Sequence, residues 1–144
     1  MVQSMMFHGA KAAVFIGDRL LVILRDDRAD ILFPAHWDFP GGGREGGETP
    51  FETLAREVTE EVGLTLSQTA VVWQRDFDAA HHLGHRVWLF VVQLPASAMA
   101  DIVFGDEGRC WALMTPDQFF ALRNAVPSLP GRLRIALALP DAPG

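Results

Sequence analysis

The sequence has little that would suit a secreted or membrane-spanning protein. It contains one cysteine in 144 residues, so an internal disulfide is excluded, and we expect Cys110 to be a small core residue on an apolar strand. The densest apolar stretch, VWLFVV at 87–92, is much shorter than the ~20 residues that a membrane helix needs. The amino terminus, MVQSMMFHGAK, lacks a basic segment followed by a long apolar run. We therefore predict a cytoplasmic protein without a secretory signal or a membrane span.

Positive charge is also scarce. Twelve Lys and Arg residues stand against 18 Asp and Glu residues, which gives a formal net charge of −6. Binding to nucleic-acid polymers or acidic membranes needs clustered Lys and Arg, so this balance argues against both partners. It would also repel a small polyanion unless cations were recruited to the site. The length and the 49% hydrophobic content predict one compact domain over residues 1–144, with the oligomeric state left open.

Apolar runs and turn residues predict alternating strands and helices. Strands are expected at 11–16, 19–24, 71–77, 86–94 and 109–114. Gly17 and Asp18 separate the first two strands and are typical of a tight hairpin. A flexible glycine loop is expected at 41–43. Thr115 and Pro116 begin a helix that should reach about Asn124, and a last helix is expected at 130–139.

The clearest predicted element is a helix over residues 50–62. Thr49 is a good N-cap, Pro50 occupies the first helical position, Glu52 completes a capping box and Gly63 offers a left-handed stop. Five apolar residues at spacings of three and four form one stripe that must pack on the sheet. These residues are Phe51, Leu54, Ala55, Val58 and Val62.

Three carboxylates share another face of this helix. Glu57, Glu60 and Glu61 are spaced so that like charges cost a few tenths of a kcal/mol per pair. One interpretation is a solvated acidic surface, softened by Arg56. The other is a cation site, because Glu48 and the preceding glycines can bring further carboxylate and carbonyl oxygens close. Clustered oxygens suit Mg²⁺ or Mn²⁺ rather than zinc or copper.

The segment from Gly42 to Leu64 resembles the signature motif of the Nudix family. Gly42, five residues, Glu48, seven residues and then REVTEEVGL match the pattern GX5EX7REUXEEXGU, where U is a bulky aliphatic residue, at every defined position. From average residue usage, a chance match has a probability of about 1 in 10¹⁰ per starting point. The flanking segments WDFPGG at 37–42, LLVILR at 20–25 and GDEGRCW at 105–111 resemble the MutT branch of the family.

This resemblance implies an α/β/α sandwich with a mixed sheet and a loop–helix–loop catalytic box. It also implies Mg²⁺-dependent hydrolysis of a nucleoside diphosphate linked to another group. The implied metal ligands are Glu57, Glu60, Glu61 and the carbonyl group of Gly41. Arg56 would hold the glutamates by ion pairing and hydrogen bonding. Glu48 would support the loop–helix junction, together with Gly42 and Gly63.

The resemblance leaves the proton acceptor and the outer substrate contacts open. One carboxylate would take a proton from the attacking water: Glu60 or Glu61, or else Glu107 in the GDEGRC segment. Glu107 is also a candidate metal ligand and equally an ordinary loop acid. The candidate substrate contacts are Arg25, Arg86 and Asn124. Arg25 would contact phosphate and Asn124 the edge of a purine, although a strand end and a helix end explain them as well.

Histidines and tryptophans offer weaker signals. Three histidines crowd a predicted hairpin loop: His81, His82 and His85. Their spacing fits no standard metal-binding pair, so we expect a solvated loop near the pocket. Three tryptophans could stack on a base, but their apolar strand contexts favour core packing. These are Trp37, Trp88 and Trp111.

Features outside the motif favour nucleoside triphosphates, including oxidised forms such as 8-oxo-dGTP. Dinucleoside polyphosphate hydrolases of the family usually carry a tyrosine after the motif, and the chain has none. ADP-ribose pyrophosphatases usually carry a proline there, whereas none lies between Pro50 and Pro95. The coenzyme A signature is not matched. The products would be nucleoside monophosphate and pyrophosphate.

Three alternatives stay open. The chain could be a non-catalytic nucleotide- or metabolite-sensing domain, although a sensor has no need of mutually repelling glutamates. It could hydrolyse ADP-ribose or another nucleoside diphosphate derivative. A diphosphate isomerase on the related fold would need a cysteine opposite a glutamate, and the predicted core position of Cys110 does not suit that role.

Overall fold

A computed structural model of the chain describes residues 6–140. The first five residues, part of the segment considered for a secretory signal, and residues 141–144 of the predicted domain lie outside the described residues. No helix between residues 6 and 140 is long and apolar enough to cross a membrane.

Seven strands form one mixed sheet. The strands are β1 (Phe7–Ile16), β2 (Arg19–Leu24), β3 (Trp37–Asp38), β4 (Gly41–Gly43), β5 (Val71–Asp78), β6 (Arg86–Leu94) and β7 (Cys110–Met114). Their order is β3-β2-β1-β6-β5, with β4 also paired to β1 and β7 to β2. β1 and β6 run parallel, and the other pairs are antiparallel. The predicted strands are present, with ends displaced by up to four residues.

The expectation of a flexible glycine loop at 41–43 is wrong. These residues form β4, which pairs antiparallel with β1. A Cβ atom at Gly41 would collide with the carbonyl oxygen of Ala10, and a Cβ atom at Gly9 would meet that of Gly42 at 2.5 Å. The absence of side chains thus lets two backbones approach closely and pair.

Helix α1 (Pro50–Val62) has the predicted boundaries. The Thr49 hydroxyl accepts a hydrogen bond from the Glu52 amide, and the Glu52 carboxylate accepts one from the Thr49 amide. Gly63, with φ +72°, ends the helix by donating its N–H to the Thr59 carbonyl. The predicted stripe packs on the sheet, with Leu54, Val58 and Val62 fully buried.

Helix α2 (Pro116–Phe120) is shorter than predicted and does not reach Asn124. The amide of Trp37 donates to the Asn124 carbonyl at 2.8 Å, and the amide of Val126 donates to the Trp37 carbonyl at 2.9 Å. These bonds form a parallel bridge between Trp37 and Ala125, so this part of the chain pairs with β3 instead of continuing the helix. Asn124 therefore lies in a bend beside this bridge, not at a helix end.

The two faces of the sheet carry separate hydrophobic clusters. α1 packs against one face with Val14, Leu21 and Phe90. α2 and α3 (Ser128–Ala136) pack against the other through Phe119, Leu129 and Leu133. The predicted α/β/α sandwich is confirmed. α3 begins two residues before and ends three residues before its predicted limits.

The predicted burial holds for the three tryptophans but not for the cysteine. The three tryptophans singled out above are partly buried and pack against the two clusters, as predicted. Cys110 is exposed, so its predicted burial is wrong. It is the first residue of β7 and pairs with Leu24, the last residue of β2.

Candidate active site

The acidic face of α1 opens onto a cavity of about 160 Å³, here called the acidic cavity. Five carboxylate residues line it: Glu57, Glu60, Glu61, Asp106 and Glu107. The loop that carries the last two is tied to the end of α1, because the Gly105 amide donates to the Glu61 carbonyl at 2.8 Å. Glu107, a candidate metal ligand, thus lies beside the three glutamates of α1. The sequence analysis did not identify Asp106, although Asp106 directly precedes Glu107 in the GDEGRC segment.

Arg56 links the glutamates of this region. Its Nε donates to Glu48 Oε2 at 2.7 Å, and its Nη1 lies 3.4 Å from Glu57 and 3.3 Å from Glu60. Its Nη2 donates to the Gly43 carbonyl at 2.8 Å. The hydrogen bond from Arg56 lowers the pKa of Glu48 to about 2. These are the contacts that the resemblance implied for Arg56.

Glu48 joins the loop before α1 to the helix itself. Its Oε1 accepts hydrogen bonds from the hydroxyl of Thr53, which is fully buried, and from the amide of Glu45, both at 2.9 Å. Together with Arg56, these donors satisfy both carboxylate oxygens. Glu48 therefore occupies the loop–helix junction.

Glu57 and Glu61 are the less exposed carboxylates of the acidic cavity. Burial raises the pKa of Glu61 to about 7, although its Oε1 accepts a hydrogen bond from the Gly41 amide at 2.8 Å. Burial also raises the pKa of Glu57. A Cβ atom at Gly42 would collide with the Glu57 carboxylate, so a side chain there would displace that carboxylate. Gly63 has the left-handed backbone of a helix stop and approaches the backbone of Val103.

The donor set of the acidic cavity suits a hard divalent cation, because it consists of carboxylate oxygens. Within residues 6–140, however, no three carboxylate, imidazole or thiol groups stand close enough together to hold an ion as they are now oriented. Arg56 engages Glu57 and Glu60, and the Gly41 amide engages Glu61. A bound cation would offset the burial that raises the pKa of Glu57 and Glu61. The residues fit the ion in kind and require side-chain rotation to bind it.

A second cavity, of about 300 Å³, is cationic and partly aromatic, and is here called the cationic cavity. Its charged and aromatic lining includes Lys11, Arg25, Arg132, Asp38, His8, His81, His82, Phe33 and Trp88. A third cavity lies between the two others, since it shares Arg25 and Asp38 with the cationic cavity and Glu61 and Glu107 with the acidic one. The three cavities thus connect a cationic region to the carboxylates.

The candidate substrate residues are placed differently. Arg25 lines the cationic cavity, where its Nη1 donates to Asp38 and its Nε to the Leu32 carbonyl. Arg86 instead forms ion pairs with two aspartates of β5, and it is not among the residues lining the three cavities. The Asn124 side chain donates to the Ala35 carbonyl at 3.0 Å and does not line them either.

The predicted histidine loop is exposed and reaches the cationic cavity through His81 and His82. The ring of His82 stacks on that of His8 from β1, with centroids 3.6 Å apart. His81 lies against Phe33, with centroids 5.4 Å apart. Sequence reasoning missed His8 and Phe33, because β1 and the loop before β3 are distant from the hairpin in the chain.

Comparison with known proteins gives four findings. A family model described as NUDIX domain matches residues 6–133. The nucleoside triphosphatase NudI of Salmonella arizonae is 34% identical over 110 residues, which cover 72% of this chain and 77% of that protein. NudI of Enterobacter sp. (strain 638) is 47% identical over 55 residues, 38% of each chain. A crystal structure of a MutT protein from Methanosarcina mazei Go1 superposes with a TM-score of 0.71 at 19% identity, covering 90% of this chain and 91% of that one.

Proposed function

The chain belongs to the Nudix family, and we propose that it is a divalent-metal-dependent nucleoside-triphosphate pyrophosphohydrolase. The reaction releases nucleoside monophosphate and pyrophosphate, and oxidised purine nucleotides are included among the substrates. The names of the nucleoside triphosphatase relatives support this substrate class. The net charge of −6 supports small nucleotides rather than nucleic-acid polymers as substrates. We also propose that the reaction takes place in the cytoplasm.

The observation that carries the proposal is the pairing of a cationic cavity with an acidic one. The nucleoside enters the cationic cavity, where aromatic residues such as Phe33 can stack on a base. The triphosphate extends past Arg25 toward the carboxylates, where a polyanion can bind only with a cation between the two sets of negative charge. Five carboxylates without this role would be a costly arrangement of like charges.

The implied cation is Mg²⁺, and Mn²⁺ suits the same oxygen donors. Its proposed ligands are Glu57, Glu60, Glu61, the Gly41 carbonyl and Glu107. When bound, the cation neutralises phosphate charge and lowers the pKa of a water molecule. Glu57 and Glu61, which are the less exposed carboxylates, form the inner part of the site.

The other residues position these carboxylates and accept the proton. Arg56, held by Glu48, orients Glu57 and Glu60. The proton acceptor is one of Glu60, Glu61 and Glu107, because each lines the acidic cavity. Water attacks the β-phosphorus, and the bond from that phosphorus to the oxygen bridging the α-phosphorus breaks.

A substrate panel in ¹⁸O-labelled water tests this function. The panel contains the dNTPs, 8-oxo-dGTP, ADP-ribose and diadenosine polyphosphates, each with Mg²⁺ or Mn²⁺. We expect turnover of a nucleoside triphosphate, with the label in pyrophosphate. Label in the monophosphate would place the attack at the α-phosphorus. If no compound is hydrolysed with either cation, the sensing domain replaces the hydrolase as the better account.

A further inference from the structure

Lys11 is the single lysine of the chain, whose other 11 basic residues are arginines. It lies within β1, where it pairs with Gly41 of β4 on one side and Leu89 of β6 on the other. Gly41 is the residue whose amide donates to the Glu61 carboxylate. Lys11 is therefore one strand away from the acidic cavity.

The Lys11 ammonium group is held by a buried carboxylate. Its Nζ donates to Asp38 Oδ2 at 2.8 Å, and Nη1 of Arg25 donates to the same oxygen at 3.1 Å. The Asp38 side chain is only 7% exposed, and its Oδ1 accepts from the Phe39 amide. A buried carboxylate needs such partners. Two cations on one carboxylate leave one positive charge in excess.

This excess charge lies where the cavities meet. Lys11, Arg25 and Asp38 all line the cationic cavity. Arg25 and Asp38 also line the third cavity, which contains Glu61. With a nucleoside in the cationic cavity, its phosphates must therefore pass Lys11, Arg25 and Asp38 to reach the carboxylates.

The ammonium group of Lys11 has N–H donors that are not used by Asp38. Within residues 6–140, Asp38 is the one hydrogen-bonding partner of the Lys11 ammonium group, so two of its three N–H groups remain for a ligand. The Lys11 side chain is 32% exposed, which leaves it accessible. A compact ammonium charge is well suited to phosphate oxygens.

We propose that Lys11 binds the phosphate chain of the substrate, and that Asp38 is a positioning residue that holds Lys11 and Arg25 for this contact. The proposal rests on the proposed function for the identity of the substrate. The phosphate contact itself is tested without turnover.

The single lysine permits a direct binding experiment on the unmodified wild-type protein. Growth with lysine labelled with ¹³C at Cε gives one resonance, which belongs to Lys11. We expect this resonance to shift on addition of Mg²⁺ with pyrophosphate, or with the α,β-methylene analogue of dGTP. Mg²⁺ alone and deoxyguanosine alone should leave it in place. A resonance that no phosphate compound moves, or that deoxyguanosine moves equally, overturns the proposal whether or not the protein hydrolyses nucleotides.

Steady-state kinetics test the same contact in the reaction. K11M should raise KM for the best triphosphate about tenfold or more, and K11R should recover part of the loss because it restores the charge. R19M removes a cation from the exposed start of β2 and should leave KM within about twofold. D38N should raise KM like K11M, with the labelled Lys11 resonance no longer responding to pyrophosphate. An unchanged KM in K11M, alongside normal wild-type turnover, overturns the role of Lys11 and leaves the hydrolase assignment intact.

Discussion

Nε of Arg56 donates to Oε2 of Glu48 at 2.7 Å, across the junction between α1 and the loop that precedes it. The same guanidinium group reaches Glu57 and Glu60 on the acidic face. One arginine thus joins the start of the motif to the carboxylates at its end. The local structure and the candidate cation site therefore depend on the same contacts.

The Glu48 contact should stabilise the fold in a pH-dependent way. E48Q removes a charge-assisted hydrogen bond and should lower the free energy of unfolding at pH 7 by about 1–3 kcal/mol. Because the folded pKa of Glu48 is lowered to about 2 from 4.5, this stabilisation is present above pH 4.5 and is lost as the pH falls toward 2. Urea unfolding of both proteins between pH 2 and 7 measures the difference.

E45Q is the matched control for E48Q. Glu45 also pairs with Arg56, but the distance is 3.4 Å and its side chain is 71% exposed, so its loss should change stability little. Equal effects of the two substitutions, or a difference for E48Q that does not shrink with acid, would refute the stabilising role of Glu48.

Glu61 should have the opposite effect in the metal-free protein. Its pKa is raised from 4.5 to about 7, so the folded state binds the extra proton, and stability falls as the pH rises from 4.5 through 7. In EDTA at pH 8, E61Q should therefore be more stable than the parent by about 2–3 kcal/mol. The Gln oxygen can still accept from the Gly41 amide. Denaturation at pH 8 and pH 4 checks this, and an advantage that persists at pH 4 would show another cause.

Gly42 should control the position of Glu57. In G42A the new methyl group collides with the Glu57 carboxylate, which should weaken cation binding about 10–100-fold. The readout is the Mg²⁺ concentration that gives half-maximal activity. G47A is the control, because nothing lies within 4 Å of a Cβ atom there. If G42A and G47A need the same Mg²⁺ concentration, Gly42 has no such role.

Local signals explain what the sequence could predict. The boundaries of α1 follow from its own residues, namely the Thr49 capping box and the stop at Gly63. The acidic face follows from helical spacing alone. Local residues also predict the hairpin between β1 and β2. Gly17 adopts the left-handed φ of +63° that its tight turn requires.

Contacts between distant segments explain what the sequence could not predict. The glycines at 41–43 form a strand because β1 lies beside them. Asn124 lies outside the predicted helix, where its carbonyl accepts a hydrogen bond from the Trp37 amide and the next residue, Ala125, bridges to Trp37. The Lys11–Asp38 ion pair joins residues 27 apart, and no periodicity marks it.

The catalytic role of the acidic cavity is tested by comparing kcat for three variants of α1 on one triphosphate with Mg²⁺. E60Q and E61Q alter the acidic cavity, whereas E52Q changes an acid of the same helix and preserves the capping hydrogen bond to Thr49. If the acidic cavity holds the cation and the attacking water, E60Q and E61Q should lower kcat by several orders of magnitude while E52Q stays within about threefold. Activity of both E60Q and E61Q within a few-fold of the parent would show that the acidic cavity is not the site of hydrolysis.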